Sequence, residues 1–560
     1  MEWVSNRPKL RAAIVMMSFL LSLPPISWAP AMIVFAVFSV LWIAITPVPT
    51  QSLMIGLGLS LSFALTEVLL TPNLTLHLGA LSHPGTSLVQ FTIAFASCLH
   101  LPIFFTLATW VHHRFHIRRR MPLFVESYFA IGLPALFVVC ESIIPRPIGW
   151  KLGHAVYSVS WILQGSEFAG VEYLSFAVFG MSSLLALLLM PNRLRFPDAH
   201  PILAIVALLY WIVPVLGMRS AETARSEILL YKTTMPKMLQ LGIIGREASL
   251  TQNRDGALLV SRTSSECEAA FPEINDLVEK TEILGRDSIK RDIIFWPMVK
   301  DKDAGLKELC HGPIEEWADR IQTSVVFPVG TGPTTQFVSI IHGKQTLHIA
   351  RHDNEEAGRS FRFLASVVES PNLQLASSLL PSQISQARTI LLSTGERLGV
   401  TFDTELLSNA STKTAIEDGV YALVNLGGAP NWGMRTDYWV RAFDTARSIE
   451  YRIPSIRVDS NGRSFIVDST GANLADDFDS GAPHSIKRAV TLPMAPPLTY
   501  YASMSSWFIL VCMGILATYA FLIFRRKTQP IPLYVREAQR RQQAIEMNAR
   551  TPLPRSDDSK

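Results

Sequence analysis

The sequence has few cysteines, little charge and no basic patch. Its 560 residues include five cysteines, none of them in a Cys-x-x-Cys pair, which argues against a disulfide scaffold and a structural zinc site. Lys and Arg exceed Asp and Glu by only four, and no basic, aromatic-rich stretch occurs, so nucleic acid is not an expected partner. Apolar residues make up 49% of the chain and charged residues only 17%. This balance indicates that part of the chain lies in lipid.

Eight apolar runs predict membrane helices, each near the roughly 20 residues that cross a hydrocarbon core. Seven precede residue 220 and one follows a long polar block: 12–28, 32–46, 53–70, 88–111, 123–144, 168–190, 202–218 and 507–524. The first run follows a basic start and also has the pattern of a signal peptide. We interpret it as a helix, because a second run follows at once. The loop charges also alternate between the two sides of the membrane only if this run is counted as a span.

The basic residues of the short connections collect on alternate sides of the predicted spans. They are Arg7, Lys9 and Arg11, then Arg114 and Arg118 to Arg120, then Arg193 and Arg195, and finally Arg525, Arg526 and Lys527. Arg146 and Lys151 are the exception. By the positive-inside rule, this pattern predicts a multi-pass membrane protein with both termini cytoplasmic. The polar block between the seventh and eighth spans then faces the periplasm or the cell exterior.

Four isolated polar features have both a structural and a functional interpretation. Glu67 and Glu141 lie in or beside apolar runs, where a carboxyl needs a partner or water. His154 lies in the segment 146–170, which is too polar to cross a membrane, and we interpret it as a satisfied interfacial histidine rather than a metal ligand or a base. Cys267 and Cys310 lie in the polar block and could pair if that block is outside the cytoplasm.

The polar block from about residue 221 to 500 is predicted to be a folded α/β domain. Short apolar runs bounded by Gly, Pro, Asn and Asp predict nine strands, at 239–244, 292–296, 324–329, 337–342, 390–393, 399–402, 421–426, 456–459 and 464–468. Helical spacing of apolar residues occurs at 267–284 and 434–451. The predicted organisation is therefore a membrane domain (1–220), this domain (221–500), a final membrane helix (501–527) and a basic cytoplasmic tail (528–560).

Several segments resemble the apolipoprotein N-acyltransferases, and the resemblance spans nearly the whole chain up to residue 524. They are LPALFVVCES (133–142), EFAGVEYLSFAVFG (167–180), IIFWP (293–297), ALVNLGGAPNWG (422–433) and RAFDTARSIEYRIPSIRVDSNGRSFIVDSTG (441–471). The resemblance implies an α-helical membrane bundle of about eight spans in the bacterial inner membrane, with the polar block on its periplasmic side. It also implies a nitrilase-like α-β-β-α sandwich inserted between spans seven and eight.

The residues that nitrilase-type chemistry requires are missing from this sequence. A cysteine thiolate attacks an acyl carbonyl, a glutamate takes its proton and a lysine stabilises the oxyanion. The resemblance places these groups at Asp403, Met298 and Ala350. Arg351 beside Ala350 supplies positive charge on the wrong side of its strand. Asp403 is a weak candidate nucleophile, because a carboxylate attacking an ester gives an anhydride and needs strong activation.

Other polar residues near these positions have less specific roles. Glu405 matches a family glutamate near the nucleophile, and Glu355 or Glu356 matches a loop glutamate. We interpret them as hydrogen-bonded carboxylates in the absence of the thiol. Cys310-His311 and His348 with His352 look like fragments of a metal site, but no third ligand accompanies them. No metal and no cofactor is predicted.

Two classes of function follow from this combination. The first is a binding or scaffold role without acyl transfer, with membrane phospholipid, a lipoprotein or an envelope protein as partner. Conjugal-transfer proteins of the TraB type also resemble this family and belong to this class. The second is acyl transfer from phospholipid to the N-terminal cysteine of a lipoprotein, which requires a reactive nucleophile in the cleft.

Overall fold

The structure is a computed structural model of the 560-residue chain. It describes residues 7–23, 26–45, 48–70, 83–117, 126–144, 150–189, 200–234, 238–243, 292–296, 323–329, 336–341, 344–349, 389–392, 395–402, 409–427, 434–459, 464–476, 486–493, 499–504 and 507–525.

Each of the eight apolar runs contains helix. Before the polar block these helices are α1 (Pro8–Ser22), α2 (Ala29–Ile45), α3 (Pro49–Leu70), α4 (His83–Ser97), α5 (His100–Ile117), α6 (Leu133–Ile143), the short α7 (Ser160–Leu163), α8 (Ser166–Leu189) and α9 (His200–Thr234). A π-helical turn, Tyr128–Gly132, leads into α6, and a 3-10 turn, Leu152–Val156, precedes α7. After the block come α12 (Tyr500–Ser503) and α13 (Trp507–Arg525).

Four helical stretches are long and apolar enough to cross a membrane: Pro49–Leu69, Ala94–Arg114, Ser166–Leu189 and Ile205–Thr223. Shorter apolar helices cover Ala29–Ile45, Tyr128–Ile143 and Trp507–Leu522. The predicted fourth span is divided into α4 and α5 by a turn at Cys98 and Leu99. Helix α9 continues past residue 220 to Thr234. These helices share one apolar core, in which the Phe137 ring stacks on Phe179 at 4.7 Å and meets Phe104 edge-on at 5.0 Å.

The polar block contains twelve described strands in two sheets. The first sheet has the order β12-β1-β2-β3-β4-β5 and the second the order β11-β10-β9-β8-β7-β6. Their bounds are β1 (Met238–Ile243), β2 (Ile293–Phe295), β3 (Ser324–Val329), β4 (Gln336–Ile341), β5 (Lys344–Ile349), β6 (Thr389–Leu391), β7 (Arg397–Phe402), β8 (Ala422–Gly427), β9 (Ser455–Asp459), β10 (Phe465–Val467), β11 (Asn473–Asp476) and β12 (Ile486–Thr491).

The two sheets have the same internal plan. In each, three parallel strands (β1, β2 and β3, or β7, β8 and β9) carry one antiparallel strand on one side and two on the other. Leu241 and Phe295 of the first sheet share a buried core with Val424 and Ile456 of the second. Alternate residues of each strand point into this core. The two sheets therefore face each other as a sandwich.

Two helices cover the outer face of the second sheet. They are α10 (Asn409–Glu417), which packs on β7, and α11 (Met434–Tyr451), which packs on β9 and β10. Val440 of α11 contacts Phe465 and Val467. The opposite side of α11 places Trp439, Phe443 and Ile449 in the apolar core of the membrane helices. Helix α11 is thus shared by the sandwich and the helical bundle.

All nine predicted strands are present, with ends shifted by at most two residues, and the helix predicted at 434–451 has those bounds. The sequence missed β5, β11 and β12. Each of them is an edge strand and carries polar residues such as Lys344, Asp476 and Arg488. Edge strands often carry charge because it discourages pairing with other chains, and this charge masks the alternation that reveals a strand. The helix predicted at 267–284 lies outside the described residues.

Candidate functional site

The positions expected to carry nitrilase chemistry follow three described strands. Strand β2 ends at Phe295, β5 at Ile349 and β7 at Phe402. Met298, Ala350, Arg351, Asp403 and Glu405 themselves lie outside the described residues. Trp296, the last described residue before Met298, is fully buried, and its backbone N–H donates to the Val326 carbonyl at 2.9 Å. The tryptophan of the IIFWP segment is therefore a core residue.

Cysteines are also informative about possible nucleophiles. Cys98, Cys140 and Cys512 are buried in or beside the apolar helices and form no disulfide. Cys267 and Cys310, like His311 and His352, lie outside the described residues, so their predicted pairing stays a prediction. Among the described residues, no group of three or more His, Cys, Asp or Glu side chains could hold a metal ion.

A layer of buried polar residues lies between the second sheet and α11. Thr401, Asn425 and Arg457 are register partners on β7, β8 and β9, near the carboxyl ends of these parallel strands. All three are buried, and Arg457 pairs with Asp459 two residues along β9. Carboxyl ends of parallel strands are where α/β folds commonly build sites. This layer is covered by α11, so it has no access to a substrate.

Asp444 is the acid of this polar layer. It projects from α11, is fully buried, and accepts a hydrogen bond from the Ser455 hydroxyl at 2.6 Å. Burial raises the pKa of Asp444 to about 6, although Arg457, the Ser455 hydrogen bond and Arg447 act in the opposite direction. A carboxyl that titrates there can exchange protons near neutral pH. Because it is sealed from solvent, we assign it a structural role.

The contacts between the sandwich and the bundle centre on a break in helix α8. Ala169 (φ −142°, ψ 18°) and Gly170 (φ 71°, ψ −175°) are not helical, so a second helical segment begins at Val171. Only glycine adopts the Gly170 conformation readily. A β-carbon at this position would lie 2.3 Å from the Tyr501 ring and 2.4 Å from the Glu172 carboxylate. The break is therefore specified both by the backbone and by its surroundings.

Two backbone groups at this break form hydrogen bonds with side chains from distant parts of the chain. The Val171 N–H donates to Glu450 Oε1 at 3.0 Å, so a carboxylate of α11 caps the second segment of α8. The Phe168 carbonyl accepts from the Trp507 indole at 3.0 Å. A negative charge at a helix N-terminus is favourable because it meets unpaired N–H groups and the positive end of the helix dipole. The sandwich thus supplies the N-terminal cap for the second segment of an apolar helix of the bundle.

Glu450 is in turn held by an arginine on its own helix. Arg447 Nη1 lies 2.5 Å from Glu450 Oε2, and both side chains are buried. Burial raises the pKa of Glu450, while contact with Arg447 opposes the shift. For Arg447, burial lowers the pKa, but the contact with Glu450 prevails and raises it overall. The two opposite charges are therefore buried together, and neither is left unpaired in the protein interior.

Arg452 ends helix α11 and reaches three elements of the bundle. Its backbone has φ 53°, the left-handed region that glycine usually occupies after a helix. The Arg452 and Ile453 N–H groups donate to the Ile449 and Ser448 carbonyls at 3.4 and 3.2 Å, which is the hydrogen-bond pattern of a Schellman motif. A non-glycine residue in this conformation costs about 1 kcal/mol.

The contacts of the Arg452 guanidinium explain why an arginine, rather than a glycine, occupies this backbone conformation. It is 2.5 Å from Glu167 Oε2 of α8, donates to Gln164 Oε1 at 2.8 Å, and reaches the Gly217 carbonyl of α9 at 3.3 Å. It also donates to the Ser469 carbonyl within the sandwich at 3.3 Å. One buried side chain therefore joins α8, α9 and the end of β10.

Further hydrogen bonds extend this junction to the turn after β10. Gln164 Nε2 donates to the Thr470 carbonyl at 2.8 Å, and Arg225 of α9 reaches the Thr470 hydroxyl at 3.3 Å. Glu167 also accepts from the Ser220 hydroxyl of α9 at 2.8 Å. We call the set Gln164, Glu167, Val171, Glu450, Arg452 and Thr470 the docking junction.

The 3-10 turn before α7 supports the outer face of α11. Trp150 meets Trp439 edge-on at 5.2 Å, and the His154 ring lies 4.1 Å from Phe443. His154 Nδ1 accepts from the Lys151 backbone N–H at 3.0 Å, and the ring packs as a buried side chain. Glu141 accepts from the Leu152 N–H at 2.5 Å, which gives that carboxyl a structural contact.

Two tryptophans of the segment 146–170 have different surroundings. Trp150 is buried in the contact with α11, whereas Trp161 is about one-third exposed and stacks on Trp211 of α9 at 5.2 Å. Exposed aromatic rings beside apolar helices are typical of the membrane–water interface.

The segments that form the docking junction are among those that resemble the N-acyltransferases, but their contact with each other was not predicted from the sequence. EFAGVEYLSFAVFG contains Glu167 and Val171, and the segment 441–471 contains Glu450, Arg452 and Thr470. These two segments contact each other at the docking junction. The available signal was the group of charged residues Arg447, Glu450 and Arg452 at the end of the predicted helix, just before Pro454.

Comparison with known proteins finds similarity only among solved structures. No protein family and no curated protein matches the chain. Similar structures include Saccharomyces cerevisiae Nit3, a member of branch 10 of the nitrilase superfamily, with 10% identity, a TM-score of 0.32, and coverage of 52% of this chain and 97% of Nit3. A carbon-nitrogen hydrolase from Helicobacter pylori G27 has 10% identity, a TM-score of 0.32 and coverage of 52% and 96%. A mutant of the Nesterenkonia AN1 amidase, from the nitrilase superfamily, has 12% identity, a TM-score of 0.32 and coverage of 48% and 95%.

Proposed function

We propose that the protein is a multi-pass membrane protein whose nitrilase-like sandwich binds an amphiphilic ligand, a phospholipid or an acylated lipoprotein, without transferring an acyl group. The observation that carries this proposal is the identity of residue 403. Asp403 follows β7, where the resemblance to the N-acyltransferases places the nucleophilic cysteine. A carboxylate is a poor nucleophile towards a phospholipid ester, because the product anhydride is higher in energy than the ester.

The other two required groups support the same conclusion. Met298 follows β2 and cannot accept the proton that a general base must take, and Ala350 follows β5 and carries no charge. The contacts that fix the sandwich to the membrane helices are present, however, at the docking junction. A scaffold that keeps its attachment but lacks its reactive groups is suited to binding.

Acyl-enzyme capture tests the proposal directly. Full-length protein in nanodiscs of phosphatidylethanolamine with a labelled acyl chain is incubated with a diacylated lipopeptide. We expect no covalent acyl adduct and no N-acylated lipopeptide, but retention of phospholipid or lipopeptide by native mass spectrometry. Asp403→Ala, Cys267→Ser and Cys310→Ser are compared with Asp418→Ala, which changes an exposed acid of the same domain.

The enzyme alternative predicts the opposite result. An acyl adduct that disappears in Asp403→Ala but persists in Asp418→Ala would establish acyl transfer and refute a binding role. Rescue of a strain depleted of its N-acyltransferase would do the same. A role in a conjugal-transfer assembly remains within the binding class, and it predicts co-purification of envelope proteins with the chain.

A further inference from the structure

Arg11 is a buried arginine without an anionic partner. It lies on α1, on the same helical face as Val15, Ser18 and Phe19, and this face packs against α2 and α3. Only 5% of the residue is exposed. Its Nε and Nη1 atoms are enclosed and have no hydrogen-bond partner, and no described carboxylate forms an ion pair with it. The sequence had placed Arg11 among the loop charges before the first span.

The surroundings of Arg11 are polar but cannot neutralise it. The guanidinium lies 5.4 Å from the centre of the Trp42 ring, near the end of α2. Trp42 Nε1 donates to the Ser52 hydroxyl of α3 at 3.3 Å, and the Thr109 hydroxyl of α5 contacts Ser52 at 2.7 Å. Hydroxyl groups that already bond to each other offer no negative charge. Neither α1, α2 nor α3 carries an acidic residue in its first turn.

An unpaired guanidinium in this position is unfavourable for two reasons. Removing a charge from water without a partner costs several kcal/mol, and arginine stays protonated, so it cannot avoid this cost by neutralisation. Arg11 also lies in the first turns of α1, where the positive end of the helix dipole repels a cation. An anion at this point would be attracted by both charges.

From these observations we propose that Arg11 binds the phosphate of a membrane phospholipid. The site lies where the first turns of α1 and α3 meet the end of α2, at one end of the apolar bundle. A phosphodiester carries a single negative charge, which matches one guanidinium, and arginine binds phosphate oxygens through charge-assisted hydrogen bonds. The Trp42 ring is itself buried and offers the guanidinium a cation–π contact but no negative charge. The proposal requires only that the bundle lies in a membrane and is independent of the sandwich.

The experiment measures thermal unfolding of the full-length protein in a non-ionic detergent during three titrations. The additives are short-chain phosphatidylglycerol, diacylglycerol with the same acyl chains, and inorganic phosphate. We expect stabilisation by the phospholipid alone, with apparent affinity reduced about tenfold in Arg11→Gln and less in Arg11→Lys. Lys9→Gln, which changes an exposed cation on the same helix, should behave like the wild type.

Three results would overturn the proposal. An unchanged response of Arg11→Gln would show that the arginine does not bind the lipid. Equal stabilisation by diacylglycerol, or saturation by inorganic phosphate, would assign the effect to acyl chains or to a free anion. If Glu2→Gln lowers the unfolding temperature as much as Arg11→Gln does when no lipid is added, Arg11 forms an internal ion pair with Glu2 instead. If Arg11→Gln fails to fold, Arg11→Lys and native mass spectrometry of bound lipid decide the question.

Discussion

At the scale of single residues, Arg452 combines an unfavourable backbone conformation with favourable side-chain contacts. Its φ of 53° is the one a glycine would adopt without strain. A glycine would end α11 equally well but would leave Glu167, Gln164 and the Gly217 carbonyl without their shared donor. The contacts of the guanidinium must therefore exceed the backbone cost.

Replacing Arg452 by glycine separates these two effects. Arg452→Gly should recover about 1 kcal/mol of backbone strain but lose roughly 3 kcal/mol or more, because it leaves the Glu167 carboxylate buried without its cation. We expect the midpoint of thermal unfolding in detergent to fall by several degrees. The double variant Arg452→Gly with Glu167→Gln should recover part of this loss. A stabilising effect of Arg452→Gly alone would contradict the importance of the junction.

Asp444 makes stability depend on pH through its raised pKa of about 6. The unfolded carboxyl titrates near 3.8, so the folded state holds the proton more tightly. The stabilising effect of this proton is fully present below pH 3.8 and is lost as pH rises through about 6. Asp444→Asn keeps an acceptor for Ser455 and carries no charge, so its advantage over the wild type should grow with pH, to roughly 3 kcal/mol by about pH 7.5.

The matched control for this pH dependence is Asp418→Asn, which changes an exposed acid at the end of α10. Thermal unfolding of both variants and the wild type between about pH 4.5 and 7.5 gives the comparison. If Asp444→Asn and the wild type respond equally to pH, the buried carboxyl is not the titrating group.

At the scale of secondary structure, the break in α8 is the element on which the attachment of the sandwich depends. Gly170→Ala places a methyl group within 2.3 Å of the Tyr501 ring and in a backbone conformation that alanine resists. We expect a loss of about 2 kcal/mol or more in stability. Gly395→Ala, at φ 90° with open space around it, reports the conformational strain alone.

A neutral control for the same measurement is available in another membrane helix. Gly514→Ala in α13 has no neighbour within 4 Å and no positive φ, so it should leave the thermal midpoint unchanged or slightly raise it. A Gly170→Ala variant that unfolds at the same temperature as Gly514→Ala would show that the break tolerates a β-carbon.

The sequence predicted most elements because their patterns are local. Apolar runs predicted the eight helical regions, and alternating or β-branched runs predicted nine strands. The three missed strands lie at sheet edges, where charged residues replace the alternating pattern. The break in α8 was not predicted, because Ala169-Gly170 lies at the start of the predicted sixth span and Glu450, which caps Val171, is 279 residues further along the chain.

The docking junction was less accessible to sequence reasoning than the fold. Glu167, Glu450 and Arg452 have no special spacing that would relate them, since they meet only through the packing of α11 on α8. The predicted positions of the missing triad remain predictions, because Met298, Ala350 and Asp403 lie outside the described residues. Residue identity alone excludes a thiol at position 403.

At the scale of the whole molecule, the docking junction makes the sandwich and the bundle depend on each other. Helix α11 contributes Trp439, Phe443 and Ile449 to the bundle core and Val440 to the sandwich side. Each fully buried side chain of this kind contributes roughly 1.5–3 kcal/mol. Separation of the two parts would expose these residues and break the buried ion pair of Arg452.

Hydrogen exchange can measure this dependence. In Arg452→Gly, we expect amides on both sides of the junction, including Val171 and Ile453, to lose protection together, because one opening event exposes both. Amides in the middle of α3 should keep wild-type protection, since α3 does not contact the junction. Loss of protection confined to the sandwich would show that the bundle is stable without it.

The cap that Glu450 provides to α8 sets an order of events during biosynthesis. Val171 leaves the ribosome 279 residues before Glu450, which at translation rates of about 5–20 residues per second corresponds to a delay of roughly 14–56 s. During this interval the Val171 N–H, the first of the second segment of α8, lacks its Glu450 acceptor. The cap therefore forms only after the later part of the chain has been made and α11 has packed against α8, so α8 is completed well after its own residues are synthesised.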